Sequence, residues 1–264
     1  MEESTTSWPL KLLVAILFVF LLVPVLMVIP LSFSGENTLR FPPSSWGIRW
    51  YEALWANELM WRAFRTSVLI GLIVTALTVV IALPAAYVIV RMKTLGSEIL
   101  YNLFTAPLLL PTIVLGLAIL IVFAAAGLLG TFHGIVLAHL VLTLPYALRI
   151  LATSLGALPV TLEEAAASLG ATPLTAFRRV TLPLIAPGVL SASALSFLVS
   201  FDEIVITLFL AGPQVTTLPV EMFRRLDSRS DPMIAAVSVL LIGITLAVVL
   251  VVQRSVGLSR GFVK

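Results

Sequence analysis

Few residues in this 264-residue chain could do chemistry, and most of those stand in apolar surroundings. The two histidines, His133 and His139, lie six apart. That spacing does not share one helical face, so a span-end or packing role is expected there and a metal pair is not. Cysteine is absent, which removes disulfides and Cys-metal sites. Asp202 and Glu203 sit together inside an apolar stretch, and Arg149 sits inside another. Ionisable groups at membrane depth are costly and usually face a cavity or a partner. The acidic pair therefore has two readings: a cation-attracting lining of a substrate path, or a structural pair held by a partner's arginine or by local backbone donors. An intramembrane aspartyl protease would need two membrane aspartates, and only Asp202 qualifies. No G-x-x-x-x-G-K-[ST] phosphate loop occurs, and no glycine is followed by lysine. The remaining candidate is a polar stretch, EEAAASLGATPLTAFRRVTLP, running from Glu163 to Pro183 between two apolar ones.

The elements that position these residues are membrane spans. The chain is 60% hydrophobic and only 11% charged, with a mean hydropathy of +1.13. Soluble chains carry about 25% charged residues, so the class is an all-α integral membrane protein. A net charge of +3 without a dense basic tract argues against nucleic acid. A helix needs roughly 20 apolar residues to cross the hydrocarbon core, and six stretches over 10–33, 66–90, 99–125, 134–157, 184–210 and 233–252 are expected to do so. They form a single transmembrane domain over 1–264. The first is too long for a signal-peptide core and reads as a retained span. Residues 99–148 hold no Asp, Glu, Lys or Arg and must fold back, with the glycines of AGLLGTFHG (126–134) as the turn. The segment 34–62 carries Trp46, Trp50, Tyr51, Trp55 and Trp61. It reads either as an interfacial aromatic belt on a short amphipathic helix or as an ordinary packed loop.

With six spans the termini share a side with the 91–98 and 158–183 loops. That side holds Lys11, Arg91, Lys93, Arg178, Arg179, Arg254, Arg260 and Lys264. The other holds Arg40, Arg49, Arg62, Arg65, Arg224, Arg225 and Arg229. The balance is too even to orient the chain by its positive residues.

Within the polar stretch the signals are those of two short helices and a hinge. Thr161 with Glu164 three residues on reads as a capping box. Leu162, Ala165, Ala166 and Leu169 fall on one stripe, small enough for another surface to approach the backbone closely. Gly170 stands where a left-handed residue would end the first helix. Thr172 and Pro173 restart the helix, Arg178 and Arg179 favour its C-terminal end, and Pro183 is expected to terminate it. Such an element suits docking better than catalysis.

This pattern resembles the EAA loop of the membrane subunits of ATP-binding-cassette importers. Glu164-Ala165-Ala166, Gly170, Val180 and Leu182-Pro183 stand at that motif's spacings, with valine at the usual isoleucine. The stretches FPPSSWGIRWYEALW, SLGATPLTAFRRVTLPLIAPGVLSA and SFDEIVITLFLAGPQVTTLP resemble the spermidine and putrescine branch of that permease family, whose relatives handle other small amines and aminoethylphosphonate. The resemblance implies a type I importer permease with about six spans. Its EAA loop, 158–183, would face the cytoplasm and enter a cleft of the ATPase subunit, which puts both termini inside. It implies coupling contacts at Glu163, Glu164, Ala165, Ala166, Leu169, Gly170, Val180, Leu182 and Pro183. SFDE around Asp202 and Glu203 also resembles the family's pattern. That pattern is shared by relatives with different substrates and does not name the cargo, so both readings of the pair stand. Two ATPase subunits, a second permease, a periplasmic binding protein and lipid are the implied partners, with ATP and magnesium on the ATPase rather than on this chain. A secondary transporter or channel is the rival reading, and it lacks the internal repeat such folds usually carry.

Overall fold

A computed structural model describes residues 8–92, 95–213 and 215–256, with backbone alone for Leu95 and 247–256. Lys93, Arg260 and Lys264 of the charge balance lie outside the described residues, as does the side chain of Arg254. The helices follow in order: α1 (Trp8–Ser32), α2 (Arg49–Trp55), α3 (Glu58–Tyr87), α4 (Leu95–Thr105), α5 (Thr112–Ala125), α6 (Phe132–Gly156), α7 (Thr161–Ser168), α8 (Pro173–Ala176), α9 (Leu182–Leu184), α10 (Ala186–Phe201), α11 (Val205–Leu210), α12 (Leu218–Ser228) and α13 (Met233–Val256). Wide π-turns extend α3 over Val88–Met92 and join α8 to α9 over Phe177–Thr181. Among the described residues the one β-type feature is an isolated bridge between Ser34 and Trp46.

Three helices are long and apolar enough to cross a membrane: α1, α3 with its π-turn, and α6. Two bent pairs raise that number to five when each pair is taken as one span. The chain is a multi-pass membrane protein. The stretch 99–125 is not one rod, because α4 and α5 meet at 106°. Pro111 has no N–H to continue the ladder, and Leu110 before it is extended at ψ 137. The stretch 184–210 is likewise interrupted, between α10 and α11. The expected sixth span falls on α13, whose described apolar part is Met233–Leu246.

The chain falls into two compact units, Met1–Trp61 with Met222–Lys264, and Arg62–Glu221. In the first, α1 packs along α13 and α2 also meets α13. α1 is apolar on every side and buries almost nothing within the chain, as a lipid-facing helix does. Its connection to α2 is a knot of local bonds. Trp50 donates its indole N–H to the Glu36 carbonyl at 2.9 Å, and Arg49 reaches the Asn37 side chain at 2.8 Å. The Glu36 carboxylate accepts from the Ser44 hydroxyl and backbone N–H, which together hold its pKa below the ordinary carboxylate value. Arg225 clamps Asp231 through two bonds of 2.9 and 2.6 Å.

In the second unit α6 is the central helix. One end buries Ile135, Val136, Ala138 and Leu142 with residues of α3, α5 and α11. The other end buries Ala147, Leu148, Leu151 and Leu155 with Ala82 and Ala86 of α3 and Ala192 of α10. Small residues let these backbones come close, the main source of helix association where apolar burial gains little. Gly188 of α10 shows how close: a Cβ there would collide with the Ser154 side chain of α6. Thr78 and Thr143 share a buried hydrogen bond of 2.7 Å between α3 and α6.

Candidate functional site

The helix–glycine–helix element is built almost wholly from local sequence. α7 opens without the expected capping box. Val160 already has helical angles, so the Pro159 and Val160 carbonyls take the first N–H groups, and no side-chain cap forms. Thr161 is the first residue of the helix rather than its cap. At the far end Gly170 has φ +85, the Gly170 N–H reaches the Ala167 carbonyl and the Ala171 N–H reaches the Ala166 carbonyl. These are the two bonds of a Schellman cap. Thr172 then caps α8 through its hydroxyl, which accepts from the Thr175 N–H at 3.3 Å, and Pro173 follows at the first helical position.

Pro183 does not end this second helix. Pro173–Leu184 runs as one helical segment, and the direction changes only at Ile185, by 70° into α10. Pro183 has no N–H for the carbonyl four residues back, and the π-turn just before it absorbs that loss. Arg178 and Arg179 therefore lie in mid-segment on an exposed face.

The stripe is open. Leu162 and Ala165 are exposed, Ala166 is half-buried, Leu169 is 90% exposed, and Leu174 of α8 is 65% exposed. Glu164 and Gly170 are also exposed, and nothing lies within 4 Å of where a Cβ on Gly170 would be. Val180 and Leu182 are half-buried, and Pro183 is exposed. Glu163 departs from this face. Its Oε1 accepts from Thr181 Oγ1 at 2.7 Å and from Arg91 Nε at 3.2 Å, while Oε2 accepts from the Tyr87 hydroxyl at 3.2 Å. Arg91 donates a second bond, from Nη2 to the Leu158 carbonyl at 3.1 Å. Both side chains of this ion pair are nearly shut off from solvent, at 8% and 14% exposure. Glu163 thus faces the end of α3, not the open stripe. Sequence reasoning missed Tyr87, Arg91 and Thr181 as its partners. A bond across 72 residues of sequence leaves no local signal.

The acidic pair stands at a helix break rather than within a helix. α10 ends at Phe201 and α11 begins at Val205. Glu203 is half-buried, and its carboxylate turns back to accept the Ile206 N–H at 2.7 Å. The Asp202 carboxylate is exposed and makes no hydrogen bond or ion pair among the described residues. His139 of α6, which is fully buried, spans the same break. Its Nδ1 lies 2.9 Å from Ser200 Oγ on α10, and its Nε2 lies 2.8 Å from Thr207 Oγ1 on α11. Its role is interhelical packing with two specific bonds. His133 is exposed at the start of α6, and Arg149 is exposed on the same helix.

Comparison with known proteins agrees with a multi-pass membrane bundle. A family model described as "Binding-protein-dependent transport system inner membrane component" matches residues 78–258. The chain is 28% identical over 239 residues to the spermidine/putrescine transport system permease protein PotC of Haemophilus influenzae, covering 90% of this chain and 92% of that one. It is 33% identical over 243 residues to the putrescine transport system permease protein PotI of Escherichia coli, covering 89% and 86%. It is also 30% identical over 255 residues to the trehalose transport system permease protein SugB of Mycobacterium tuberculosis, covering 93% of each. The fold is similar, at TM-score 0.71 and 16% identity, to a crystal structure of a bacterial ABC transporter involved in the import of the acidic polysaccharide alginate, covering 96% of this chain and 94% of that one. This chain therefore belongs to the family of binding-protein-dependent transport system inner membrane components.

Proposed function

We propose that this permease carries a small cationic amine of the putrescine or spermidine class inward across a bacterial inner membrane. Two relatives bear those names. The observation that carries the reading in this chain is the exposed Asp202 carboxylate at the α10–α11 break. A polyamine loses much of its hydration in a narrow path, and a fixed carboxylate offsets that loss more strongly where water is scarce. Glu203 contributes less, since its carboxylate is engaged by backbone. The trehalose relative supports a second reading, a neutral sugar as cargo.

In this proposal α7 and both termini are cytoplasmic. The chain pairs with a second permease, sits on two ATPase subunits that hold ATP and magnesium, and receives cargo from a periplasmic binding protein. The ATPase contacts are the exposed Glu164, Ala165, Leu169 and Gly170 with the half-buried Ala166 between them, and Val180, Leu182 and Pro183 shape the segment behind. Closing of the ATPase pair shifts α7, and the short connections at 157–160 and Ile185 pass the shift to α6 and α10, a coupling of two distant sites.

The test is uptake by vesicles holding the complete transporter with its binding protein, offered labelled putrescine, spermidine or trehalose. ATP-dependent accumulation of an amine, lowered in Asp202→Asn at normal membrane level, supports the proposal. Accumulation of trehalose alone overturns it.

A further inference from the structure

We propose that Glu163 is a positioning residue that couples the docking element to the end of α3, and that it does not itself contact the ATPase. This rests on the docking reading of α7 given above. The element is joined covalently to α6 and α10, whereas α3 has no chain connection to it. Side chains make the missing link. The Glu163 carboxylate gathers donors from three places: Tyr87 at the end of α3, Arg91 in the π-turn that follows, and Thr181 in the second π-turn. Arg91 adds the Leu158 carbonyl, at the junction between α6 and α7. The Tyr87 and Phe177 rings meet edge to face at 5.2 Å beside this cluster. A charge-assisted bond between nearly buried groups is short-range and stiff, and it is weakened little by salt. A shift of α7 is therefore imposed on α3 as well as on α6 and α10. Glu164, its neighbour, is exposed and free to meet a partner.

The experiment uses the complete transporter in vesicles with its binding protein. It reads membrane level, ATPase-subunit co-purification, and uptake per ATP hydrolysed. Arg91→Gln and Glu163→Gln are expected to keep the ATPase subunit bound while lowering uptake per ATP by about fivefold or more, the low end for coupled sites. Arg91→Lys, which retains a cation for Glu163, should stay near the wild-type ratio. The double variant should be no worse than either single one, as for two halves of one link. Loss of ATPase association in Glu163→Gln as complete as in Glu164→Lys would make Glu163 a docking contact and overturn the proposal. Normal uptake per ATP in Arg91→Gln would overturn it too. Where those variants fail to accumulate, Thr181→Val and Tyr87→Phe each remove one donor and keep the shape, and normal coupling in both overturns it. Glu164→Lys separates the two readings: if it leaves the ATPase bound, the docking assignment fails, and the link is judged by uptake per ATP alone.

Discussion

Gly170 offers a graded test, because its backbone and its surroundings give separate instructions. Its φ of +85 is a left-handed value, while a Cβ placed there meets nothing within 4 Å. Substitution therefore costs conformational energy and no collision inside the chain. For an L-residue other than asparagine that cost is about 1–2 kcal/mol. The capped form would lose weight against other paths by a factor of about 5–30. An ATPase that binds only the capped form would lose affinity by up to that factor. Asparagine tolerates the left-handed region and should fall between glycine and alanine, whereas branched valine should be worse than alanine and abolish uptake. The assay is titration of the ATPase subunit against the permease complex in lipid nanodiscs, for Gly170→Asn, Gly170→Ala and Gly170→Val. Gly156→Ala, where an added Cβ also meets nothing and φ is not left-handed, serves as the control and should bind normally. The reasoning is refuted if asparagine binds no better than alanine, or if valine binds like glycine.

Other outcomes test other parts. A lone cysteine at Ser45 or Ser228 should react with an impermeant thiol reagent from the periplasmic side, and one at Ser168 only after the inner membrane is breached; the reverse pattern sinks the proposed orientation. His139→Leu removes both bonds across the α10–α11 break, each worth about 0.6 kcal/mol inside a membrane, and should lower the melting midpoint of the purified complex by a few degrees. An unchanged midpoint would show that the break is held by packing alone. Asp202→Asn should cut amine uptake sharply with assembly intact, while Glu203→Gln, which can still accept the Ile206 N–H, should do less; loss of assembly in Asp202→Asn would make that residue structural.

What the sequence could announce, it announced through local chemistry. The cap at Gly170, the restart at Thr172-Pro173 and the apolar runs are each decided within a few residues, so propensity and spacing suffice. The misread points are those where a competing local solution exists. Thr161 and Glu164 have the residues of a capping box, yet Val160 enters the helical region first and its carbonyl takes the Glu164 N–H. Pro183 has the marks of a terminator, yet a π-turn dissipates its missing bond. The bends inside 99–125 and 184–210 were hidden because hydropathy counts residues and not their direction. One residue is 100° around a helix, enough to turn the Glu163 carboxylate to Arg91 while Glu164 is exposed, and that difference between neighbours is not visible in the motif.

The polar groups at the α10–α11 break follow one rule, and it separates the two members of the acidic pair. In apolar surroundings each backbone group freed by a break must find a partner within the protein. At the α10–α11 break the Ile206 N–H finds Glu203, and the hydroxyls on either side find His139. The Thr78–Thr143 pair serves the same end between two unbroken helices. Each of these groups has a partner within the fold. Asp202 is different. The fold gives its exposed carboxylate no hydrogen bond or ion pair among the described residues. In the function proposed above that carboxylate serves the cargo path, while Glu203 and His139 hold the break.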